Sequence, residues 1–227
     1  MRALAILLLA LLLGAGPDEP AGGTIVGKVV AVDSGKAVKR DEVWVYLEQV
    51  KPRRHRSTTP PPSREIRQKN ESFAPHVLVV PVGTTVAFPN DDLEEHNVFS
   101  PTDPPGQFDL GRYNTDRKGR LHEFDDPGEI EIYCDIHMKM WARVKVVDTE
   151  LRWIAKVAAD GAFSFDHVPP GSYKVHSWSY DSDEVVTSVE VAAGATASLS
   201  EQHLQLGKPR SHARKDGRAY GPYDGQP

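Results

Sequence analysis

The middle of this chain is a rhythm of short apolar runs that leaves few options for folding. His76-Val77-Leu78-Val79-Val80, Thr84-Thr85-Val86-Ala87-Phe88, His96-Asn97-Val98-Phe99, Leu121-His122-Glu123-Phe124, Glu129-Ile130-Glu131-Ile132-Tyr133 and Ala142-Arg143-Val144-Lys145-Val146-Val147 follow one another. Gly83, Pro89-Asn90, the stretch from Pro101 to Gly106, Gly119 and Asp125-Asp126-Pro127-Gly128 break them apart. Runs this short, rich in β-branched and aromatic residues and lacking a sustained helical period, hide their apolar sides by pairing into sheets and stacking the sheets. A β-sandwich or barrel is expected.

The ends of the chain use the same grammar. Thr24 to Val32, a turn at Asp33-Ser34-Gly35-Lys36, and Val43-Trp44-Val45-Tyr46-Leu47 read as two strands. After about residue 149, Trp153 to Val157, Ala162-Phe163-Ser164-Phe165, Ser172 to Trp178 and Val185 to Val191 are separated by Asp160-Gly161 and Pro169-Pro170-Gly171. The whole chain is therefore expected to be all-β. A length of 227 residues suits two small domains, each with its own core. The expected division is a leader and join over 1–23, first strands over 24–50, a Pro-rich basic linker over 51–63, a middle sandwich over 64–148, further strands over 149–206 and a disordered tail over 207–227.

Met1-Arg2, the apolar run Ala3 to Leu13 and Gly14-Ala15-Gly16 have the form of a secretory signal peptide, with an uncleaved anchor as the alternative. No cysteine follows the run, which excludes a lipid-modified one. The expected location is periplasmic or otherwise exported, and the chain is not expected to be an integral membrane protein once the leader is cleaved. The formal net charge of −5 gives no reason to expect nucleic acid, and the basic cluster Lys51 to Arg56 runs into prolines as a solvated linker does.

Exported proteins usually pair their cysteines, and this chain has one. Cys134 stands three residues before His137, which stands three before Met140, on a short loop between two strand-like runs; His96 lies upstream. A thiolate, two imidazoles and a thioether are the donor set of a type 1 copper site, in which the weak axial sulfur favours the reduced metal. Met138 is a second thioether near the loop, though the spacing favours Met140. Zinc on Cys134, His137 and His96 is the alternative metal, less suited to a thioether.

Cys134, His137 and Met140 at successive spacings of three, with His96-Asn97-Val98 upstream, resemble the cupredoxins, in particular amicyanin- and plastocyanin-like members that include methylamine utilisation proteins. The resemblance runs from about Phe73 to Val147 and includes Val82-Gly83-Thr84-Thr85-Val86-Ala87-Phe88-Pro89-Asn90 and Phe108-Asp109-Leu110-Gly111. It implies a Greek-key β-sandwich holding one type 1 copper on His96, Cys134, His137 and Met140. It also implies that Asn97 stiffens the cysteine loop through a hydrogen bond. Many relatives carry proline after the loop histidine, where this chain has Met138-Lys139. The outer segments resemble the carboxypeptidase regulatory-like, transthyretin-like β-sandwich; on that basis the two ends make one sandwich with the cupredoxin-like part inserted, a serial arrangement being the alternative.

The function expected from these features is transfer of single electrons between redox partner proteins. A non-redox copper carrier or structural binding protein of the cell envelope is the alternative. An enzyme is not expected, since four protein donors leave no coordination position for substrate. The paired carboxylates Asp91-Asp92, Glu94-Glu95 and Asp125-Asp126 read as solvated turns, and the remaining histidines as structural or surface residues. Sugar contact through Trp153, Trp178 and Tyr180 is a weaker expectation for the outer sandwich.

Overall fold

The computed structural model describes residues 21–50, 61–208 and 212–221. The leader-like segment and the basic part of the linker lie outside the described residues. Among the described residues no helix is long and apolar enough to cross a membrane.

The fold is all-β, as the sequence predicts. The chain opens with β1 (Gly23–Asp33), β2 (Lys36–Val38) and β3 (Val43–Gln49). Ten strands follow: β4 (Arg64–Glu65), β5 (Arg67–Gln68), β6 (Phe73–Ala74), β7 (Val77–Pro81), β8 (Thr84–Asn90), β9 (His96–Ser100), β10 (Phe108–Tyr113), β11 (Asp116–Phe124), β12 (Gly128–Tyr133) and β13 (Trp141–Val147). A short 3-10 turn at Leu151–Trp153 leads to β14 (Ile154–Lys156), β15 (Ala162–Val168), β16 (Gly171–Ser179), β17 (Val185–Val191), β18 (Thr196–Ser198) and β19 (Gln202–Gln205).

Pairing sorts these strands into two sandwiches. Among the described residues, strands β4 to β13 pair only among themselves, in sheets ordered β10-β9-β12-β13-β7 and β11-β8-β5-β6, with β4 beside β8. β1 pairs with β2, β15, β18 and β19, while β3 lies between β14 and β16 in the sheet β14-β3-β16-β17. The outer sandwich is thus built from both ends of the chain, which leaves it after β3 and returns at β14.

Side-chain alternation explains the three apolar clusters. In β13, Ala142, Val144 and Val146 face the core of the middle sandwich with Ile130, Ile132, Phe88 and Val98. In β3 and β16, Val43, Val45, Leu47, Tyr173 and Val175 face the core of the outer one with Ile25 and Leu204. The opposite faces of these strands meet: Val77, Val79 and Val147 from the middle sandwich pack with Tyr46 and Trp178 from the outer one. A strand buried on both faces reads as a continuous apolar run, which is the pattern of Val77 to Val80. Burial of Trp153 and Trp178, 5% and 1% exposed, removes both from the sugar contact expected of them. Tyr180 is covered by the guanidinium of Arg40, 3.6 Å from its ring centroid.

Charged groups rim this seam. The indole N–H of Trp178 donates to Glu129 at 3.2 Å, and Lys145 of β13 lies 3.6 Å from Glu184, on the turn after β16. Glu184 also accepts the Tyr46 hydroxyl at 2.5 Å and faces His176 at 3.6 Å. Burial works against the Glu184 charge, but the His176 and Tyr46 hydrogen bonds and the Lys145 charge outweigh it and pull the carboxyl down to about 2. A carboxyl whose folded value lies below its unfolded one stabilises the fold above the unfolded value and loses that contribution as pH falls toward the folded value. Unfolding free energy, measured by urea titration, is therefore expected to fall as pH drops from 4.5 toward 2. Glu184→Gln is expected to flatten that part of the profile and to cost about 1–3 kcal/mol at neutral pH.

Candidate metal centre

β12 ends at Tyr133 and β13 begins at its partner Trp141, so residues 134–140 form the connection between two antiparallel neighbours. Main-chain hydrogen bonds cinch this loop: Cys134 N–H donates to Met140 C=O at 3.1 Å, and Met140 N–H donates to His137 C=O at 3.1 Å. β9 lies on the other side of β12, with Phe99 opposite Tyr133, and this brings His96 at the start of β9 beside the loop.

Three donors converge there. His96 Nδ1 and His137 Nδ1 are 3.1 Å apart, and the Cys134 sulfur is 3.7 Å from His137 Nδ1. The ligand atoms of His96, Cys134 and His137 all lie within 4.8 Å of one another. Donors each about 2.0–2.3 Å from a central ion are separated by roughly 3–4 Å, so this set fits a single transition-metal ion. Cys134 and His96 are fully buried, whereas the His137 ring reaches partial exposure. Met140 is fully buried in the same apolar cluster as Cys134, while Met138 is 46% exposed.

The thiol is prepared for ionisation. Burial opposes the charge, but His137, His96 and the backbone N–H groups of Asn97 and Ile136 outweigh it and draw Cys134 down to about 6. The Asn97 and Ile136 N–H groups donate to the sulfur at 3.5 and 3.4 Å. Asn97 therefore reaches the cysteine through its main chain. This is the hydrogen bond to the cysteine loop that the resemblance implies, made by the main chain, while the Asn97 side chain donates to Asp109 Oδ1 at 2.9 Å.

The structure also assigns work to residues that read as solvated turns. Asp92 Oδ2 is 2.9 Å from His96 Nε2, which leaves His96 Nδ1 aimed at the other donors. Asp92 itself is held by the N–H groups of Asn70 at 2.8 Å and Glu71 at 3.0 Å. Burial raises the His96 and Asp92 charge costs; the Cys134 and Asp92 contacts still leave the imidazole above its ordinary value, and the Asn70 and His96 contacts leave the carboxyl below its own. Neighbouring Asp91 takes a bidentate pair from Arg67 at 2.7 and 2.8 Å. Glu94, Glu95, Asp125 and Asp126 are exposed, in keeping with turn residues. Asp135, in the loop itself, is 3% exposed and accepts Arg112 Nη2 at 2.6 Å. An acid four residues before the candidate histidine is the only local trace of the Asp92 contact; Asp135 leaves none, because its partners are remote in sequence.

A family model described as polysaccharide lyase family 4, domain II, matches residues 139–199. That span runs from the end of the cysteine loop through the later outer strands and omits β1 and β3; the match is to this family rather than to the transthyretin-like one that the turns resemble. No curated protein matches the chain. Solved structures similar to part of it include a purple cupredoxin from Nitrosopumilus maritimus, 30% identical over 37% of this chain and 98% of that one, with a TM-score of 0.31. A copper-containing nitrite reductase from Thermus scotoductus is 26% identical over 44% of this chain and 26% of that one, with a TM-score of 0.35. A reduced amicyanin variant is 24% identical over 37% of this chain and 80% of that one, with a TM-score of 0.31.

In metal-free protein the Cys134 thiolate, followed by its ultraviolet absorbance, is expected to titrate near pH 6 rather than near the ordinary thiol value of 9.0. His137→Ala is expected to move the midpoint upward, since it removes the largest of the groups that favour the thiolate.

Proposed function

We propose that the chain is an exported electron carrier that holds one copper ion on His96, Cys134 and His137, with Met140 as the weak axial donor, and exchanges single electrons with redox partner proteins. The observation that carries this reading is the donor cluster itself: one ionisable thiol and two imidazoles, drawn from β9 and from the β12–β13 loop, within 4.8 Å of one another in an apolar core. Copper in such a set supplies a one-electron couple between two oxidation states. The chain's part is to keep the donors in place through that change. The Cys134 and Met140 main-chain bonds hold the loop, Asp92 holds the His96 ring, and the Asn97 and Ile136 N–H groups hold the sulfur. A site that moves little between oxidation states presents little reorganisation to the electron.

His137 is the donor whose ring is partly exposed, and it is the proposed exit to a partner. The buried thioether suits copper better than zinc. Four protein donors leave no coordination position for a substrate, and the reading is accordingly of a carrier and not an enzyme. Export follows from the leader-like segment at residues 1–16 and agrees with a thiol reserved for metal.

Addition of Cu(II) to the purified chain without its leader is expected to give an intense visible thiolate-to-copper band at one equivalent. Ascorbate should bleach the band and ferricyanide restore it. Absence of the band, or its survival in Cys134→Ser, would sink the copper reading, while a band that cannot be bleached reversibly would favour a protein that only holds the metal. Asp92→Asn is expected to weaken copper binding about 10- to 100-fold in a competitive chelator titration, because outer carboxylates that orient ligand histidines contribute on that scale.

A further inference from the structure

The last described residues, 212–221, lie along the cysteine loop instead of forming the disordered tail expected from their composition. The His212 ring stacks on Tyr133 with centroids 3.7 Å apart and an interplanar angle of 12°. The Tyr220 hydroxyl donates to the Cys134 carbonyl at 2.6 Å. Lys215 N–H donates to Asp135 Oδ1 at 3.0 Å, and its ammonium group is 3.0 Å from Asp109, the carboxylate that also takes the Asn97 side chain. The segment is shaped for this by a turn of its own, in which Gly217 N–H donates to Arg214 C=O at 2.8 Å and Arg214 N–H to Arg218 C=O at 2.9 Å.

These contacts share one target. They fall on Tyr133, Cys134 and Asp135, or on Asp109 beside them. Tyr133 and Asp135 are 1% and 3% exposed although they lie at the end of β12 and in the loop that follows it. Ordering a polar segment opposes folding through lost chain entropy, so it stays in place only through specific contacts of this kind. Burial and the nearby Arg143 charge push His212 down to about 4, which leaves its ring neutral and suited to stacking at ordinary pH.

We propose that residues 212–221 form a strap that positions the metal loop, with Tyr220 acting through the Cys134 carbonyl, Lys215 through the Asp135 carboxylate and His212 closing the Tyr133 side of the loop. Its effect on copper rests on the copper reading above; its effect on the loop does not. Because the Tyr220 O–H dipole points at the Cys134 carbonyl, the Lys215 ammonium sits 3.0 Å from Asp109 and Arg214 Nε lies 3.8 Å from Asp135, the strap places positive charge on the cysteine side of the site, favours the more negatively charged, reduced form and raises the reduction potential.

The test compares the full chain with a chain ending at Lys208 and with Tyr220→Phe, which keeps the ring and loses the hydrogen bond. In metal-free protein, amide hydrogen exchange across residues 133–140 is expected to quicken about tenfold on deletion and by a smaller factor in Tyr220→Phe. Unchanged exchange in both overturns the strap. In copper-loaded protein the reduction potential is expected to fall in both variants and the thiolate band to shift; unchanged potentials alongside faster exchange overturn the positioning role. If no protein develops the band, the copper reading fails and the exchange comparison still decides the strap.

Discussion

The candidate centre depends on the adjacency of β9 and β12. These strands share a single described pair, Phe99 opposite Tyr133, and that pair sets the start of β9 against the start of the cysteine loop. From this one register follow the approach of His96 to His137, the Asn97 N–H bond to the sulfur, and the enclosure of the sulfur in the apolar core. A slip of one residue would turn His96 to the opposite face of its sheet, because side chains alternate along a strand. The same alternation makes Asn97 a main-chain donor to Cys134 while its side chain serves Asp109 on β10.

A second constraint is the seam between the sandwiches. β7 and β13 on one side, β3 and β16 on the other, bury both of their faces, so neither sandwich presents a free sheet surface there. β13 carries this constraint directly to the centre: it begins at Trp141, next to Met140, and its outward residues Lys145 and Val147 are fixed by Glu184 and the seam cluster. Trp141 itself lies 5.2 Å from Tyr180 of the outer sandwich and 5.0 Å from His76. The outer sandwich thus buttresses the strand that closes the loop.

Local chemistry made much of this legible. The strands announce themselves through β-branched runs bounded by Gly, Pro and Asp, and the donor residues through their rarity and spacing. Residues that act through remote partners left weaker traces. Asp92 looks like half of an acidic turn until Asn70, Glu71 and His96 surround it. Trp178 looks like an exposed aromatic of a small sandwich until a second sandwich covers it. The terminal segment looks like a solvated tail because its charges find their partners, Asp109 and Asp135, far back in the chain.

By itself, the sequence determined an all-β chain, the short loop between two strands, and the candidate donors His96, Cys134 and His137 that the fold brings together, since periodicity, turn formers and ligand chemistry are local properties. Tertiary structure decided which carboxylate orients His96, which main-chain groups hold the sulfur, that both faces of β3, β7, β13 and β16 are buried, and where residues 212–221 come to rest. Those outcomes depend on which strands become neighbours, and the contacts that settle it join residues far apart in the chain.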